Sequence, residues 1–454
     1  MTVDQARLDA SLDRLFGASP DPDQRRAASG GGRGLAIISG GPGTGKTSTV
    51  VRILAALFEQ QAGLTAALVA PTGKAATRLG GSIREQRESL DVAVGIRDRL
   101  PEDASTIHRR LEVRPDRRTR FRHDGQNPLP ADVVVLDEAS MVDLALMTKL
   151  VEAVRPEARL ILIGDKDQLA SVAAGHVLGD IADAATPGGP LADSFVLLGT
   201  SHRFVPAIGE LARAIQRGDE SEVVALLGAK TPGLDWIQPS RQAAQDDAVL
   251  RTLALGGWSG LARSVHGSEP AAAMKLLERF QILCAHRRGR WGSELLTQTI
   301  TGWLAEAGEI PPHREWYAGR PVIVTVNDAA LGLYNGDVGL ALTDPDNALR
   351  VHFPRPGALG GGTRALAPSQ LPTFDAFYAT TVHKAQGSGF DDVVVVLPAE
   401  PSAVLTRELL YTAVTRARKS VTIVATEAVL RHTVRQRVER ASGLRAALRG
   451  EARR

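Results

Sequence analysis

Cysteine is almost missing from this chain: Cys284 is the single one in 454 residues. That excludes a disulfide or a cysteine-built zinc site within one chain. Set in the apolar run FQILCAH, Cys284 reads as a small buried side chain. Long hydrophobic runs are also missing, since no uninterrupted stretch approaches the roughly 18 residues that span a bilayer. The opening MTVDQARLDASLDRLF is acidic and amphipathic, without the charged start and apolar stretch of a signal peptide. A soluble, cytoplasmic protein is the expectation. Strong charge of one sign is absent too: the net charge is +3 and the sequence pI about 9.1, which permits a nucleic-acid partner without demanding one. Lysine is scarce, with 8 against 46 arginines, a bias read as genome composition. Each lysine is therefore worth locating, and Lys46, Lys74, Lys166 and Lys384 all fall in motifs.

What is present is enough apolar material, 43% of residues, to build real cores. At roughly 150 residues per domain the length suggests two to four of them. Short apolar runs recur as GLAIIS (34–39), LTAALVA (64–70), DVVVL (132–136), RLILIG (159–164) and FVLL (195–198), with helix-like segments between several. This is the pattern of a parallel sheet covered on both faces. It marks one α/β domain over residues 1–200. A second, over 201–454, carries FQILCAH, DDVVVVLP and SVTIVAT. Between these, residues 310–375 have short strands such as PVIVTV, the turn YNGD and the loop PGALGGGTR, a small β-rich insertion.

GGPGTGKT, Gly40 to Thr47, lies between a strand and the helix KTSTVVRILAALF. Backbone N–H groups of Gly40, Gly41, Gly43, Thr44 and Gly45 can wrap a phosphate, with Pro42 part of the same loop. Lys46 neutralises charge, Thr47 completes a magnesium shell, and Ser48 follows in the helix start. VVVLDEAS supplies acids at a strand end, with Asp137 for the metal and Glu138 to polarise a water. GDKDQL places Asp165, Asp167 and Gln168 after the next strand; the glutamine can both donate to and accept from a γ-phosphate.

These motifs, followed by TVHKAQGS and LLYTAVTRAR, resemble superfamily 1 helicases of the 5′-to-3′ branch. Within it the similarity is to the RecD family, alpha subunits of exodeoxyribonuclease V. APTGKAATRL, STIHR, GDKDQLASVAAGHVLGD, SHRF, YAGRPVIVTVND, LYNGDVG and the closing ASGL extend the likeness over nearly the whole chain. The resemblance implies two RecA-like P-loop NTPase domains with an SH3-like insertion in the second. ATP and Mg²⁺ become the expected cofactors. Single-stranded DNA, duplex ends and the beta and gamma subunits become the expected partners.

The resemblance also implies roles. Gln24 matches the glutamine that reads adenine, and Arg203 and Arg416 match arginines reaching the γ-phosphate from the second domain. The spacing of Leu410, Ala413, Val414 and Ala417 predicts a helix with Arg416 on the side opposite its buried stripe. For the nucleic-acid track, Pro71, Thr72, Lys74, Thr106 and His108 belong to the first domain, Thr381 and His383 to the second. Lys384, Gln386 and Gly387 shape the link to the nucleotide. Gly389 stands where the family pattern has glutamate.

Other readings stay open. The basic stretch 114–128 is a strand-separating hairpin or a solvated loop, and Asn327 and Asn335 are DNA contacts or turn residues. Relatives carry a further N-terminal docking domain, whereas 39 residues precede Gly40, so a shortened start or a different docking is expected. No cluster of acids with a lysine suggests a nuclease in this chain. The weighed alternatives are a stand-alone helicase and a non-catalytic, nucleotide-clamped DNA-binding scaffold.

Overall fold

A computed structural model describes residues 3–17, 20–61, 63–114, 117–170, 175–185, 188–189, 191–201, 203–240, 242–328, 330–355, 362–438 and 443–450. Part of SVAAG after GDKDQLA, His202 of SHRF, Pro115 and Asp116 of the basic stretch, most of the loop PGALGGGTR and the first half of ASGL lie outside them. The chain divides into two compact units: Met1–Arg203 with Glu439–Arg454, and Phe204–Val438.

The strands of the first unit are β1 (Leu35–Gly40), β2 (Ala66–Ala70), β3 (Ala104–Thr106), β4 (Val113–Arg114), β5 (Arg117–Phe121), β6 (Val133–Leu136), β7 (Arg159–Gly164) and β8 (Phe195–Leu198). Six of them pair in parallel in the order β3-β2-β6-β7-β1-β8. The five apolar runs of the sequence are β1, β2, β6, β7 and β8. Every residue of β6 and β7 is buried, because helices cover both faces of the sheet. Side chains still alternate. Ile38, Val133, Val135, Ile161 and Ile163 join Ile53, Leu54 and Leu57 of the helix Lys46–Gln60 in one core. Ile37, Val134, Leu136, Leu160 and Leu162 join Met147 and Leu150 of the helix Leu144–Ala153 in the other. The amphipathic start forms the helix Gln5–Phe16 and buries Leu8, Leu12 and Leu15 in the first of these cores.

Two short strands flank and enter the basic stretch. β4 and β5 pair antiparallel, Val113 opposite Phe121 and Arg114 opposite Arg117.

One boundary differs from the expected one. The second domain was to run to residue 454, but residues 439–454 belong to the first unit. The reason is local packing: the helix Leu444–Leu448 lies against the helix Val177–Ala184, Arg445 pairs with Asp183 at 3.5 Å, and Arg449 donates to the Asp183 carbonyl.

The second unit holds β9 (Leu234–Ile237), β10 (Phe280–Cys284), β11 (Pro321–Val324), β12 (Val338–Thr343), β13 (Leu349–Pro354), β14 (Thr363–Leu366), β15 (Phe374–Ala376), β16 (Ala379–Thr381), β17 (Phe390–Val396) and β18 (Ala417–Val424). A five-stranded parallel sheet runs β16-β10-β17-β18-β9. Between β10 and β16 the chain makes a separate antiparallel sheet, β14-β13-β12-β11-β15. The SH3-like name stays with the resemblance; the pairings are those of an open antiparallel sheet. Alternation joins the two layers: Leu340 and Leu342 of β12 enter the core of the parallel sheet, while Ala341 faces Val322, Val351 and Phe353 in a core of its own. The buried hydroxyls of Tyr317 and Tyr378 meet at 2.7 Å across the same junction.

Leu54 is fully buried between helix and sheet. Truncation to alanine is expected to cost about 2–5 kcal/mol, seen as a lower urea midpoint for the first unfolding transition.

Candidate functional site

Parallel pairing sets the site. β6, β7 and β1 are neighbours in the sheet, so the loops leaving their C-terminal ends converge. The first is the phosphate loop after β1. Gly43 and Gly45 take φ of 80° and 81°, a region closed to most side chains, and Gly45 caps the helix Lys46–Gln60. The Thr44 hydroxyl donates to the Gly41 carbonyl at 2.9 Å, tightening the loop. Lys46 Nζ donates to the Gly40 carbonyl at 2.5 Å and the Gly41 carbonyl at 2.9 Å. Burial pushes its pKa down, while the charges of Asp165, Glu138 and Asp137 oppose that shift. Ser48 is turned along the helix, its hydroxyl accepting from Arg52. Thr47 is half-buried in the first helical turn.

The acids follow β6. Asp137 is 7% exposed, and its Oδ1 accepts the Glu138 N–H at 2.9 Å. Desolvation, and then the neighbouring Glu138, raise its pKa to about 6. Glu138 sits in the left-handed region, φ 52° and ψ 41°. Such backbone in a non-glycine residue is costly and collects at functional sites. After β7, the buried Gln168 donates to Asp165 Oδ2 at 3.1 Å, and Asp165 Oδ1 accepts the Asp167 N–H at 3.1 Å. Lys166 pairs with Asp167 at 2.7 Å.

Gln24 stands at the third position of the helix Pro22–Gly30 and donates to the Thr44 carbonyl at 3.1 Å, so it lies on the phosphate loop. Arg203 requires a correction. It was expected on the second domain, yet it closes the first unit. A Cβ on Gly43 would come within 2.3 Å of Arg203 Cβ, and Ser201 Oγ donates to the Pro42 carbonyl at 2.7 Å. The absence of a side chain at Gly43 is what lets this segment lie on the loop.

Arg416 corrects the helical reading. The helix Arg407–Val414 ends before it, Ala417 opens β18, and the helix is buried around its whole circumference save Arg407. Arg416 is itself 1% exposed, with Nε donating to the Thr412 carbonyl at 3.1 Å and Nη1 to the Ser388 carbonyl at 3.0 Å. Its neighbour Arg418 donates to the Gly389 carbonyl at 3.0 Å and pairs with Asp391 and Glu278 at 3.1 and 2.6 Å. Arg418 was missed by the sequence reading, although it is the second arginine of the same TRAR.

Three expected strand-binding threonines behave alike. Thr72 accepts the Ala75 N–H at 3.2 Å, Thr106 the Arg109 N–H at 3.2 Å and Thr381 the Lys384 N–H at 3.3 Å. Each is a cap or turn at the end of a parallel strand: Thr72 just past β2, Thr106 and Thr381 the last residues of β3 and β16. A hydroxyl that accepts in this way keeps its hydrogen to donate to a phosphate, so the capping and binding readings are compatible. Pro71 and Lys74 flank Thr72 and are half-buried, His108 is exposed beside Phe121 of the hairpin at 5.9 Å, and His383 is half-buried in the turn after β16. Lys384 pairs with Asp375 of β15 at 3.6 Å. Gln386 is buried and Gly387 has φ 74°. Asn327 accepts the Asn335 N–H at 2.8 Å, which is the turn role for both.

A second missed residue is Arg78, on the helix Gly73–Arg87 that Thr72 caps. Its Nη1 lies 3.6 Å from Glu138 Oε1.

The pH dependence of Asp137 can be measured. Its folded pKa of about 6 lies above the ordinary 3.8, so its stabilising contribution is complete below about pH 4 and is lost as pH rises through 6. Asp137→Asn is expected to match the wild type in urea midpoint near pH 4 and to exceed it at pH 8, by up to about 3 kcal/mol. A difference that does not vary with pH would contradict this.

Comparison with known proteins agrees with the geometry. A family described as an AAA domain matches residues 24–174, and one described as a UvrD-like helicase C-terminal domain matches 376–424. The RecBCD enzyme subunit RecD of Mycobacterium tuberculosis is 44% identical over 443 residues, covering 96% of this chain and 74% of the relative. The subunit of the same name from Mycolicibacterium smegmatis is 42% identical over 446 residues, with 96% and 76% covered. The ATP-dependent RecD2 DNA helicase of Deinococcus radiodurans is 32% identical over 393 residues, 85% of this chain and 46% of that one. The chain belongs to the RecD family of superfamily 1 helicases.

Proposed function

We propose that this protein is an ATP-driven single-strand DNA translocase that unwinds duplex ends 5′ to 3′, working as the alpha subunit beside the beta and gamma subunits of an exodeoxyribonuclease V-like complex. The observation that carries the hydrolytic part is the convergence of Lys46, Asp137, Glu138 and Gln168 on three neighbouring strand ends. Lys46 meets the terminal phosphates, Gln168 senses their loss, and Glu138 takes up and orients the attacking water. Arg203 and Arg416 supply permanent positive charge to the phosphoryl oxygens, a contribution worth about 10³ to 10⁵ in rate in other NTPases. The family resemblance assigns Gln24 to the adenine edge and the Gly387 turn to the link with the nucleotide.

Magnesium fits the donors present. Asp137 is a buried carboxylate whose charge is disfavoured where it stands, which is where a cation is stabilising, and the Thr47 hydroxyl lies in the first turn of the phosphate-loop helix. Mg²⁺ uses one or two such oxygens together with phosphate and water, so no larger acidic cluster is needed. When bound, it screens the phosphate charge during transfer.

On the DNA side, Pro71, Thr72, Lys74, Thr106 and His108 grip the strand on one unit, and Thr381 and His383 on the other. The basic hairpin 113–121 is suited to the fork. Membership of the three-subunit complex is supported by the names of the relatives; a stand-alone helicase is the second reading. No helix among the described residues is long and apolar enough to cross a membrane.

ATPase assays with and without single-stranded DNA test this function. Stimulation is expected, with Lys46→Ala lowering turnover at least about 10²-fold. Unwinding should require a 5′ tail, and a preference for a 3′ tail would reject the direction. Tight nucleotide binding without turnover, even with DNA and partner subunits, would favour the scaffold. Gly389→Glu, which restores the family's side chain, is expected to tighten ATP binding or improve coupling; unchanged kinetics would make the position neutral.

A further inference from the structure

The residue that joins the two kinds of site within the first unit is Arg78. It belongs to the helix Gly73–Arg87, whose N-terminal turn carries Thr72 and Lys74. Positions 74 and 78 are four apart and so share a face of that helix. From there Arg78 Nη1 reaches Glu138 Oε1 at 3.6 Å. The pair is asymmetric: the Arg78 side chain is 47% exposed and that of Glu138 14%. The carboxylate end is therefore fixed, by burial and by the left-handed backbone of Glu138, while the guanidinium end is accessible. The Arg78 charge also acts on Asp137 and Lys46, so it lies within range of the whole hydrolytic cluster.

We propose that Arg78 is a positioning residue that restrains Glu138 when no strand is bound and releases it when a phosphodiester reaches the Lys74–Arg78 face. The restraint is geometric: the contact holds the Glu138 carboxylate towards the helix Gly73–Arg87. Release is feasible because the pair is long and half in solvent, which makes it a weak one. A strand phosphate, already drawn to Lys74, offers the guanidinium a bidentate partner that suits its planar fork better. Exchange of Glu138 for phosphate then leaves Glu138 able to take up the attacking water. Strand binding and hydrolysis become linked by a single ion-pair exchange across about one helical turn.

The inference rests on the helicase reading, and the test separates the two. Steady-state ATPase is measured on the full chain with and without a saturating oligothymidylate, for wild type, Arg78→Ala and Arg78→Lys, with melting temperatures to verify folding. Arg78→Ala is expected to raise the DNA-free rate about three- to fivefold, to change the DNA-saturated rate less than twofold, and so to shrink the stimulation ratio. Arg78→Lys, which keeps the charge but not the fork, should fall between. If the wild type is indifferent to the oligonucleotide, the helicase reading fails and this inference with it. If the wild type is stimulated while Arg78→Ala keeps the wild-type ratio, or loses both rates together, the restraint is overturned and the helicase reading stands. Failure of Arg78→Ala to fold would move the decision to Arg78→Lys, where an unchanged DNA-free rate overturns it equally.

Discussion

The site depends on keeping opposite charges together where water is scarce. Lys46, Asp137, Glu138 and Asp165 lie near enough to act on one another, and burial disfavours the charged forms of Lys46 and Asp137. Such a cluster is not a source of stability; desolvation of this kind tends to cost more than the pairing returns. It persists because the surrounding sheet over-determines it. β6, β7 and β1 are buried along most of their length, and their parallel pairing brings three polar loops to one edge without any of them paying for its own alignment. The left-handed Glu138 is further strain that the same packed sheet supports.

Much of this was legible in the sequence because each loop is announced by the strand before it. GLAIIS, DVVVL and RLILIG are unbroken apolar runs, and an unbroken run can only be a strand covered on both faces or part of a buried helix. The glycines and acids that follow settle the choice. Arg203 shows where such reading stops. The motif SHRF says what chemistry the arginine suits, but its place on the first unit is set by the missing Cβ of Gly43 and by Ser201 bonding to Pro42, contacts some 160 positions apart in the chain.

Arg416 fails for a different reason. The stripe Leu410, Ala413, Val414 and Ala417 satisfies helical spacing, but a strand residue at 417 is apolar on its own account, and periodicity cannot tell which element it belongs to. In a helix buried almost all round there is no polar side for Arg416 to occupy. The return of residues 439–454 to the first unit was illegible for a similar reason, since a short helix of alanine, leucine and arginine carries no address. Nothing in APTGKAATRL marks Arg78, because its partner, Glu138, comes 60 positions later.

The turn TTVHKAQGSGF is the clearest case of structure refining a motif. At its start Thr381 ends β16 and accepts the Lys384 N–H; at its end Phe390 opens β17. Both strands pair with β10, so the two ends of the turn are fixed to the same strand. Between them the carbonyls of Ser388 and Gly389 are held by Arg416 and Arg418. The two arginines of TRAR therefore grip adjacent peptides of this turn. Between the two anchored ends lies the segment 382–389. That segment contains His383, on the proposed strand side, and Gly387, on the proposed nucleotide side. Gly389 lies within the gripped stretch and contributes only its carbonyl to Arg418. The family's glutamate would add a side chain to a segment whose backbone is already held, so its absence leaves the grip intact and removes one contact that the grip could otherwise aim.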